Sequence, residues 1–306
     1  MLVTSKRVLE RANKGYYAIG AFNTSNLEIT KAIVAAASEL RSPVIVQTSS
    51  KAVDYAGIKE LYCIVKTIAD GVKVPVVLHL DHGPDIETVK DCLRNGWTSV
   101  MIDGSRLDFK KNIAITRKAV AIAHKKRVPV EAELGKLQGI EDWVDVSAKE
   151  AILTNPREAK LFVKETRCDS LAIAIGTSHG AYKFKGKSVL DFRRLAEIKE
   201  MLDIPLVLHG ASSVPKELVD SANKYGAKLK HTMGVSNAHL KKAVKLGINK
   251  INTDTDLRIA FCAAVRKELK NNPEEFDTRK ILEPAIEAIK KVVSQKIKLF
   301  GSEGKL

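Results

Sequence analysis

The sequence predicts a parallel (β/α)8 TIM barrel, an α/β fold read as one domain over residues 1–306 with a C-terminal helical extension from 256 to 306. Three observations lead there. Eight short apolar runs alternate with amphipathic helical stretches, which is the order of a barrel of βα units. The runs are continuously apolar rather than alternating, as parallel strands covered on both faces are. Four of them open with proline, at Pro43, Pro75, Pro129 and Pro205, a strand position where the missing N–H costs little.

Taken in order, the run Tyr17–Phe22 is followed by a helical period over Leu27–Leu40. Pro43–Thr48 leads to a helix over Ile58–Ile68, Pro75–Asp81 to one over Ile86–Arg94, and Ser99–Asp103 to one over Asn112–His124. Pro129–Leu134 precedes a helix over Asn155–Glu165, and Ser170–Gly176 precedes one over Asp191–Met201. A long connection, Val214–Lys242, separates Pro205–Gly210 from the last run, Ile248–Asn252. Two helical patterns close the chain, Leu257–Lys270 and Leu282–Leu299, with Asn271-Asn-Pro273 as the stop between them. A doubly wound open sheet would want a glycine-rich turn after its first strand, and Phe22-Asn23-Thr24-Ser25-Asn26 supplies none. A prior of about 150 residues per domain suggests two domains, but barrels of this kind run to about 250 residues as one. No linker or low-complexity tract divides the chain.

Composition narrows the function classes. No stretch approaches the roughly 20 apolar residues of a membrane span, and Met1–Arg7 shows neither an apolar signal core nor a small-residue cleavage site. Cys63, Cys92, Cys168 and Cys262 are far apart with no C-x-x-C pair, which argues against a disulfide framework and fits a reducing cytoplasm. The net charge of +15 is spread among acidic residues along helix-like segments, and its densest patch, Lys224–Lys230, has no aromatic platform beyond Tyr225. That reads as a solvated surface rather than a nucleic-acid footprint.

The chemistry lies at the strand ends. His82, His179 and His209 each close a separate apolar run, next to Gly83, Gly180 and Gly210. Side chains at strand C-termini converge on the mouth of a parallel barrel, and three imidazoles there leave positions open on a zinc ion for substrate. Cobalt or another borderline divalent ion could substitute for zinc. His79, His124, His231 and His239 are read as structural. Asp81, directly before His82, can shuttle a proton to a substrate hydroxyl; the alternative is an acceptor that orients a histidine. Period-two spacing puts Glu131 and Glu133 on one strand face, and a glycine-bearing loop then leads to Glu141, a candidate mobile base. Phosphate is expected near Gly180, Lys183, Gly210-Ala-Ser212 and Asn252-Thr-Asp254-Thr255, the last two after strands seven and eight.

Leu80-Asp81-His82-Gly83, Val100-Met-Ile-Asp103, Glu131-Ala-Glu133-Leu-Gly135, Gly176-Thr-Ser-His179-Gly180, Val207-Leu-His209-Gly210 and Asn252-Thr-Asp-Thr255 together resemble the class II, metal-dependent fructose-bisphosphate aldolases. The match runs from Gly20-Ala-Phe-Asn23 to Phe276-Asp-Thr-Arg279-Lys280. The resemblance implies zinc on His82, His179 and His209, with Asp81 moving the proton of the C4 hydroxyl. It implies Glu141 as the residue that exchanges the C1 proton of dihydroxyacetone phosphate. Gly180, Lys183, Gly210, Ser212, Asn252, Asp254 and Thr255 match the binding site for that ketone's phosphate, and Asn23 and Ser49 match positions near the rest of the substrate. Arg279 matches an arginine that reaches the other phosphate from a neighbouring subunit, which implies a homodimer or homotetramer. Ile140 stands where some family members carry an acid associated with a second metal; Asp103 and Glu133 remain, so a second divalent site stays open, as does a monovalent cation.

The strand ends carry no lysine embedded in an apolar terminus, which argues against a Schiff-base aldolase. Tagatose 1,6-bisphosphate, which differs at C4 only, stays open as the substrate. A metal hydrolase on the same barrel would usually carry an H-x-H pair after the first strand, where this chain has Phe22-Asn23.

Overall fold

The computed structural model describes residues 1–136, 139–141, 144–146, 152–178, 190–230 and 233–306, with backbone alone for 139–141 and 144–146. Eight parallel strands close a barrel in chain order: β1 (Ile19–Asn23), β2 (Val44–Ser49), β3 (Val76–Gly83), β4 (Ser99–Ile102), β5 (Val130–Leu134), β8 (Ser170–Ile173), β9 (Leu206–Leu208) and β10 (Ile248–Thr253), which returns to β1. The four prolines lie one residue outside the strands they were expected to open. Three of them still join the ladder as acceptors: the Pro75, Pro129 and Pro205 carbonyls take the N–H groups of Val44, Val100 and Leu171.

Side-chain parity sorts the barrel into two cores. Phe22, Val46, Leu78, Leu80, Val100, Ile102, Val130, Ala132, Leu206 and Leu208 face outward into the large core beneath the helices. The opposite parity faces in. Ile19, Ala21, Ile45 and Val77 form a small apolar layer at the N-terminal end of the barrel. Above it the interior turns polar, with Gln47, His79, Asp81, Glu131, Glu133, Lys250 and Asn252 all buried.

The helix α1 (Ser5–Gly15) was not legible in the sequence, and its task explains why it exists. It presses Val8, Leu9 and Ala12 onto the inner apolar layer. Covering a valine or leucine side chain is worth roughly 1.5–3 kcal/mol, and the alanine methyl less. The outer helices match the periodic segments: α2 (Leu27–Glu39), α4 (Ile58–Asp70), α5 (Ile86–Arg94), α6 (Phe109–Lys125), α7 (Pro156–Thr166) and α8 (Phe192–Met201), with a short α3 (Ser50–Ala56) after β2. Asn26, Ser49, Asp85, Asp108, Asn155 and Asp191 cap α2, α3, α5, α6, α7 and α8, each side chain accepting a backbone N–H. The long connection before the last strand holds α9 (Lys216–Lys224) and α10 (Asn237–Lys245). Beyond β5 the expected loop carries a two-stranded antiparallel ribbon, β6 (Gly139–Glu141) and β7 (Val144–Val146), where β-branched Ile140, Val144 and Val146 favour extended backbone.

The closing helices are α11 (Thr255–Asn271) and α12 (Thr278–Phe300). α12 packs on α11 and on α2, so the end of the chain completes the outer ring. It is tied there by the Ala18 N–H on the Phe300 carbonyl and by the Gly304 N–H on the Leu40 carbonyl.

Candidate active site

Asp81 is held on both oxygens at the C-terminal mouth of the barrel. It is 1% exposed, and three amides take its two oxygens. Asn23 Nδ2 and Gln47 Nε2 each donate to Oδ2 at 3.0 Å, and Asn252 Nδ2 donates to Oδ1 at 2.9 Å. Gln47 Nε2 also donates to Asn23 Oδ1 at 2.7 Å, which locks two of the donors to each other. Burial by itself would raise the Asp81 carboxyl, but the charges of His82 and Lys250, with His209, hold it below the usual carboxylate range. Ser49 pairs with Asp81 across the β2–β3 ladder.

Asp81 and His82 are adjacent, so a regular strand would point them to opposite faces. The backbone resolves this. The β3–β4 register shifts between Leu80 and Gly83, and His82 takes φ 47°, a left-handed conformation that a non-glycine residue adopts only when its surroundings impose it. Gly83 is required beside it, because a Cβ there would lie 2.3 Å from the Met101 carbonyl oxygen. The bulge therefore turns both side chains into the same mouth. His82 and His209 end with ring centroids 4.6 Å apart. Gly210, directly after His209, has φ +58°, and a Cβ on it would meet the Ser178 carbonyl oxygen at 2.6 Å.

Carboxylates hold both rings. Asp103 Oδ2 lies 2.9 Å from His82 Nδ1, and Glu133 Oε2 lies 3.8 Å from the same atom. His209 has Nδ1 3.1 Å from Glu133 Oε2 and Nε2 2.8 Å from Glu131 Oε1. Both glutamates of β5 thus reach one histidine, as their period-two spacing requires. Burial opposes a charge on His82, but Asp81, Asp103 and Glu133 outweigh it and raise its pKa to about 10. Burial likewise opposes charge on His209, and Glu133 and Glu131 raise it against that.

One lysine lies beneath this layer. Lys250, 1% exposed within β10, has Nζ 3.0 Å from Glu131 Oε1 and 2.9 Å from Oε2. It also stands 3.3 Å from His79 Nε2, and His79 Nδ1 lies 2.8 Å from Ser99 Oγ. Burial, with Lys250 pushing the same way, drives His79 down to about 3, so it serves as a neutral hydrogen-bonding link. Sequence reading missed Lys250 and Gln47. The available signal was parity, since Lys250 lies two residues before Asn252 and Gln47 two before Ser49, each on the inward register of its strand. It also concluded that no lysine is embedded at an apolar strand end; Lys250 is buried in the last strand, with its ammonium held by Glu131.

These residues fit a divalent cation. Ligand atoms of Asp81, His82 and His209 lie within 4.8 Å of one another, and so do those of His82, Asp103 and Glu133. With the imidazoles neutral, as metal ligands are, the carboxylates of Asp81, Asp103, Glu131 and Glu133 outnumber the one ammonium that the described residues place among them, that of Lys250 on Glu131, which leaves negative charge for a cation to balance. His179, Gly180 and Lys183 lie outside the described residues, as does the Glu141 side chain. On the phosphate side, Ser212 Oγ accepts from the Asp254 N–H at 3.3 Å, and Thr255 opens α11 beside them. Arg279 is not brought to the mouth; its guanidinium is 88% exposed and paired with Asp277.

Among the described residues no helix is long and apolar enough to cross a membrane. Residues 3–305 match the family described as "Fructose-bisphosphate aldolase class-II". The chain is 52% identical over 305 residues to a protein named fructose-bisphosphate aldolase from Thermus caldophilus, covering 100% of both. It is 49% identical over 307 residues to one of the same name from Helicobacter pylori, again covering 100% of both. Among solved structures, the YdjI aldolase of Escherichia coli K12 superposes with a TM-score of 0.81 at 33% identity, covering 100% of this chain and 99% of that one.

Proposed function

The chain belongs to the class II fructose-bisphosphate aldolases, which are metal-dependent lyases acting on sugar bisphosphates, and from that premise we propose zinc-dependent, reversible cleavage of fructose 1,6-bisphosphate to dihydroxyacetone phosphate and glyceraldehyde 3-phosphate. The observation that carries the reading is the clamped carboxylate of Asp81 beside two buried imidazoles.

His82 and His209, with His179, would hold the ion; a set of nitrogen donors suits zinc, with cobalt as a substitute. Bound there, a divalent cation supplies Lewis acidity for the carbanion that C3–C4 cleavage leaves beside the ketone. Asp103 on His82 Nδ1 and Glu131 on His209 Nε2 orient the two rings, as carboxylates beside metal-binding imidazoles commonly do, which would leave the other nitrogen of each ring for the ion. A second, looser divalent position would use Asp103 and Glu133 with His82.

Asp81 takes the proton of the C4 hydroxyl in cleavage and returns it in condensation. Three amide donors favour its ionised form and fix the direction from which it can accept, which is what a general base requires. Glu141 moves the C1 proton of dihydroxyacetone phosphate. Gly180, Lys183, Gly210, Ser212 and the Asn252–Thr255 segment bind that ketone's phosphate, and Asn23 and Ser49 line the rest of the substrate. Arg279 serves a neighbouring subunit's site in a homodimer or homotetramer; its exposed guanidinium supports that use. We assign the protein to the cytoplasm, where its four free cysteines would stay reduced.

The test is cleavage of fructose 1,6-bisphosphate beside tagatose 1,6-bisphosphate, each with a chelator and with zinc restored. Fast, chelator-sensitive cleavage of the fructose ester is expected. A preference for the tagatose ester would move the specificity and keep the chemistry, while cleavage of neither by zinc-loaded protein would overturn the proposal.

A further inference from the structure

The turn that leaves β9 carries Ser212, and it is fastened from below by a buried ion pair outside the site just described. Asp256, in the first turn of α11, is fully buried, and its carboxylate takes up the next two peptide groups of that turn. Oδ2 accepts from the Ser213 N–H at 3.1 Å and from Ser213 Oγ at 3.3 Å, and Oδ1 accepts from the Val214 N–H at 2.7 Å. Lys296, on α12 and 4% exposed, puts Nζ 2.8 Å from Asp256 Oδ2 and 2.5 Å from Ser213 Oγ. On the other side of the turn, the Ser212 carbonyl accepts from the Val235 N–H at 3.1 Å.

Two features mark this as a conformational constraint beyond any contribution to stability. Val214 adopts φ 46°, a left-handed conformation that a β-branched residue takes only under compulsion, and its N–H is the one bound by Asp256 Oδ1. A buried ion pair also loses in desolvation much of what it gains in attraction, so its clearest effect is to specify one arrangement of the groups around it. Burial would push the Asp256 carboxyl up; the Lys296 ammonium and the N–H groups of Val214 and Ser213 overcome this and hold it below the usual range.

We propose that Asp256 and Lys296 form a positioning pair for phosphate recognition: together they set the Gly210–Val214 turn at the phosphate end of the ketone substrate, so that the last helix of the chain takes part in binding that phosphate. The inference rests on reading Gly210 and Ser212 as phosphate-binding residues. Without Lys296, the Asp256 charge is buried unneutralised and its hold on Ser213 and Val214 weakens. The turn then occupies several arrangements, only some of which fit phosphate. The second substrate of condensation, glyceraldehyde 3-phosphate, places its phosphate elsewhere and is indifferent to the turn.

The experiment measures condensation and cleavage by the full-length, zinc-loaded enzyme and by Lys296→Met, Asp256→Asn, Lys296→Arg and Ser213→Ala. Lys296→Met and Asp256→Asn are expected to raise KM for dihydroxyacetone phosphate about 10-fold, with kcat and KM for glyceraldehyde 3-phosphate within about 2-fold of wild type. Lys296→Arg should restore most of the loss, because it keeps the charge. Ser213→Ala leaves no buried charge behind and is the variant to rely on if the others fail to fold; it should raise the same KM about 3-fold. An unchanged KM for dihydroxyacetone phosphate in any folded charge-removing variant or in Ser213→Ala overturns the proposal, and so does an equal rise in both KM values. If wild type cleaves neither bisphosphate, the aldolase reading itself has failed; if wild type cleaves and these variants match it, only the positioning role has failed.

Discussion

Replacing Lys250 by methionine tests the buried charge layer that supports His209. The substitution keeps the length of the side chain and removes one ammonium. Glu131, 2% exposed, then loses contacts of 3.0 and 2.9 Å and keeps, among the described residues, His209 Nε2 at 2.8 Å and the more distant His79 Nε2 at 3.7 Å. His79 loses its neighbour at 3.3 Å as well. Breaking a buried pair by removing one member costs about 3–5 kcal/mol, because the remaining charge stays out of water without the partner that compensated it. An unfolding entropy of about 2.1 cal/mol/K per residue gives roughly 0.64 kcal/mol/K for the 306 residues of this chain. The expected fall in Tm is therefore about 5–8 °C. The assay is thermal unfolding followed by circular dichroism on chelator-treated protein, which keeps metal binding out of the comparison. The double variant Lys250→Met/Glu131→Gln removes both charges and should recover most of the loss. A Tm for Lys250→Met within about 1 °C of wild type, or strict additivity of the two single variants, would refute the reasoning.

Asp81→Ala should keep its zinc, measured as metal content after gel filtration, while cleavage falls by at least about 100-fold; loss of the metal instead would make Asp81 a support for its neighbours. Glu141→Ala should still bind bisphosphate but fail to exchange the C1 proton of dihydroxyacetone phosphate with deuterium from solvent, and normal exchange would assign the base elsewhere. Burial pushes the Cys92 and Cys168 thiols up to about 12, so at pH 8 a native-state alkylating reagent followed by peptide mapping should label exposed Cys63 first and leave those two unmodified. Asp256 has a folded-state pKa below its ordinary value of 3.8, so its contribution to stability is present above about pH 4 and is lost as acid carries the pH down through the folded value. Asp256→Asn should accordingly lose less Tm than wild type between pH 5 and pH 3 in metal-free protein, and parallel losses would contradict the sign.

Local sequence determined a large share of this protein. Continuous apolar runs alternating with amphipathic periods specify eight buried parallel strands and their covering helices, because a strand buried on both faces leaves no other pattern. Capping residues such as Asn26, Asp85 and Asp108 mark helix starts because their side chains satisfy N–H groups that the helix itself cannot. Histidines and acids at strand ends announce the mouth because barrel closure brings strand ends together whatever their separation in the chain. What tertiary structure alone decided is which of these groups touch. Adjacent Asp81 and His82 share one mouth only because β3 bulges against β4 and His82 turns left-handed, and no local preference of histidine dictates that. Lys250 reads in sequence as one more lysine in a basic chain; only barrel closure sets it against Glu131 and His79. Asp256 and Lys296 are forty residues apart on two different helices, and their meeting under the Ser212 turn follows from how α12 packs on α11. Periodicity records which face a residue presents, whereas contact between distant residues depends on the angle and register at which whole elements pack.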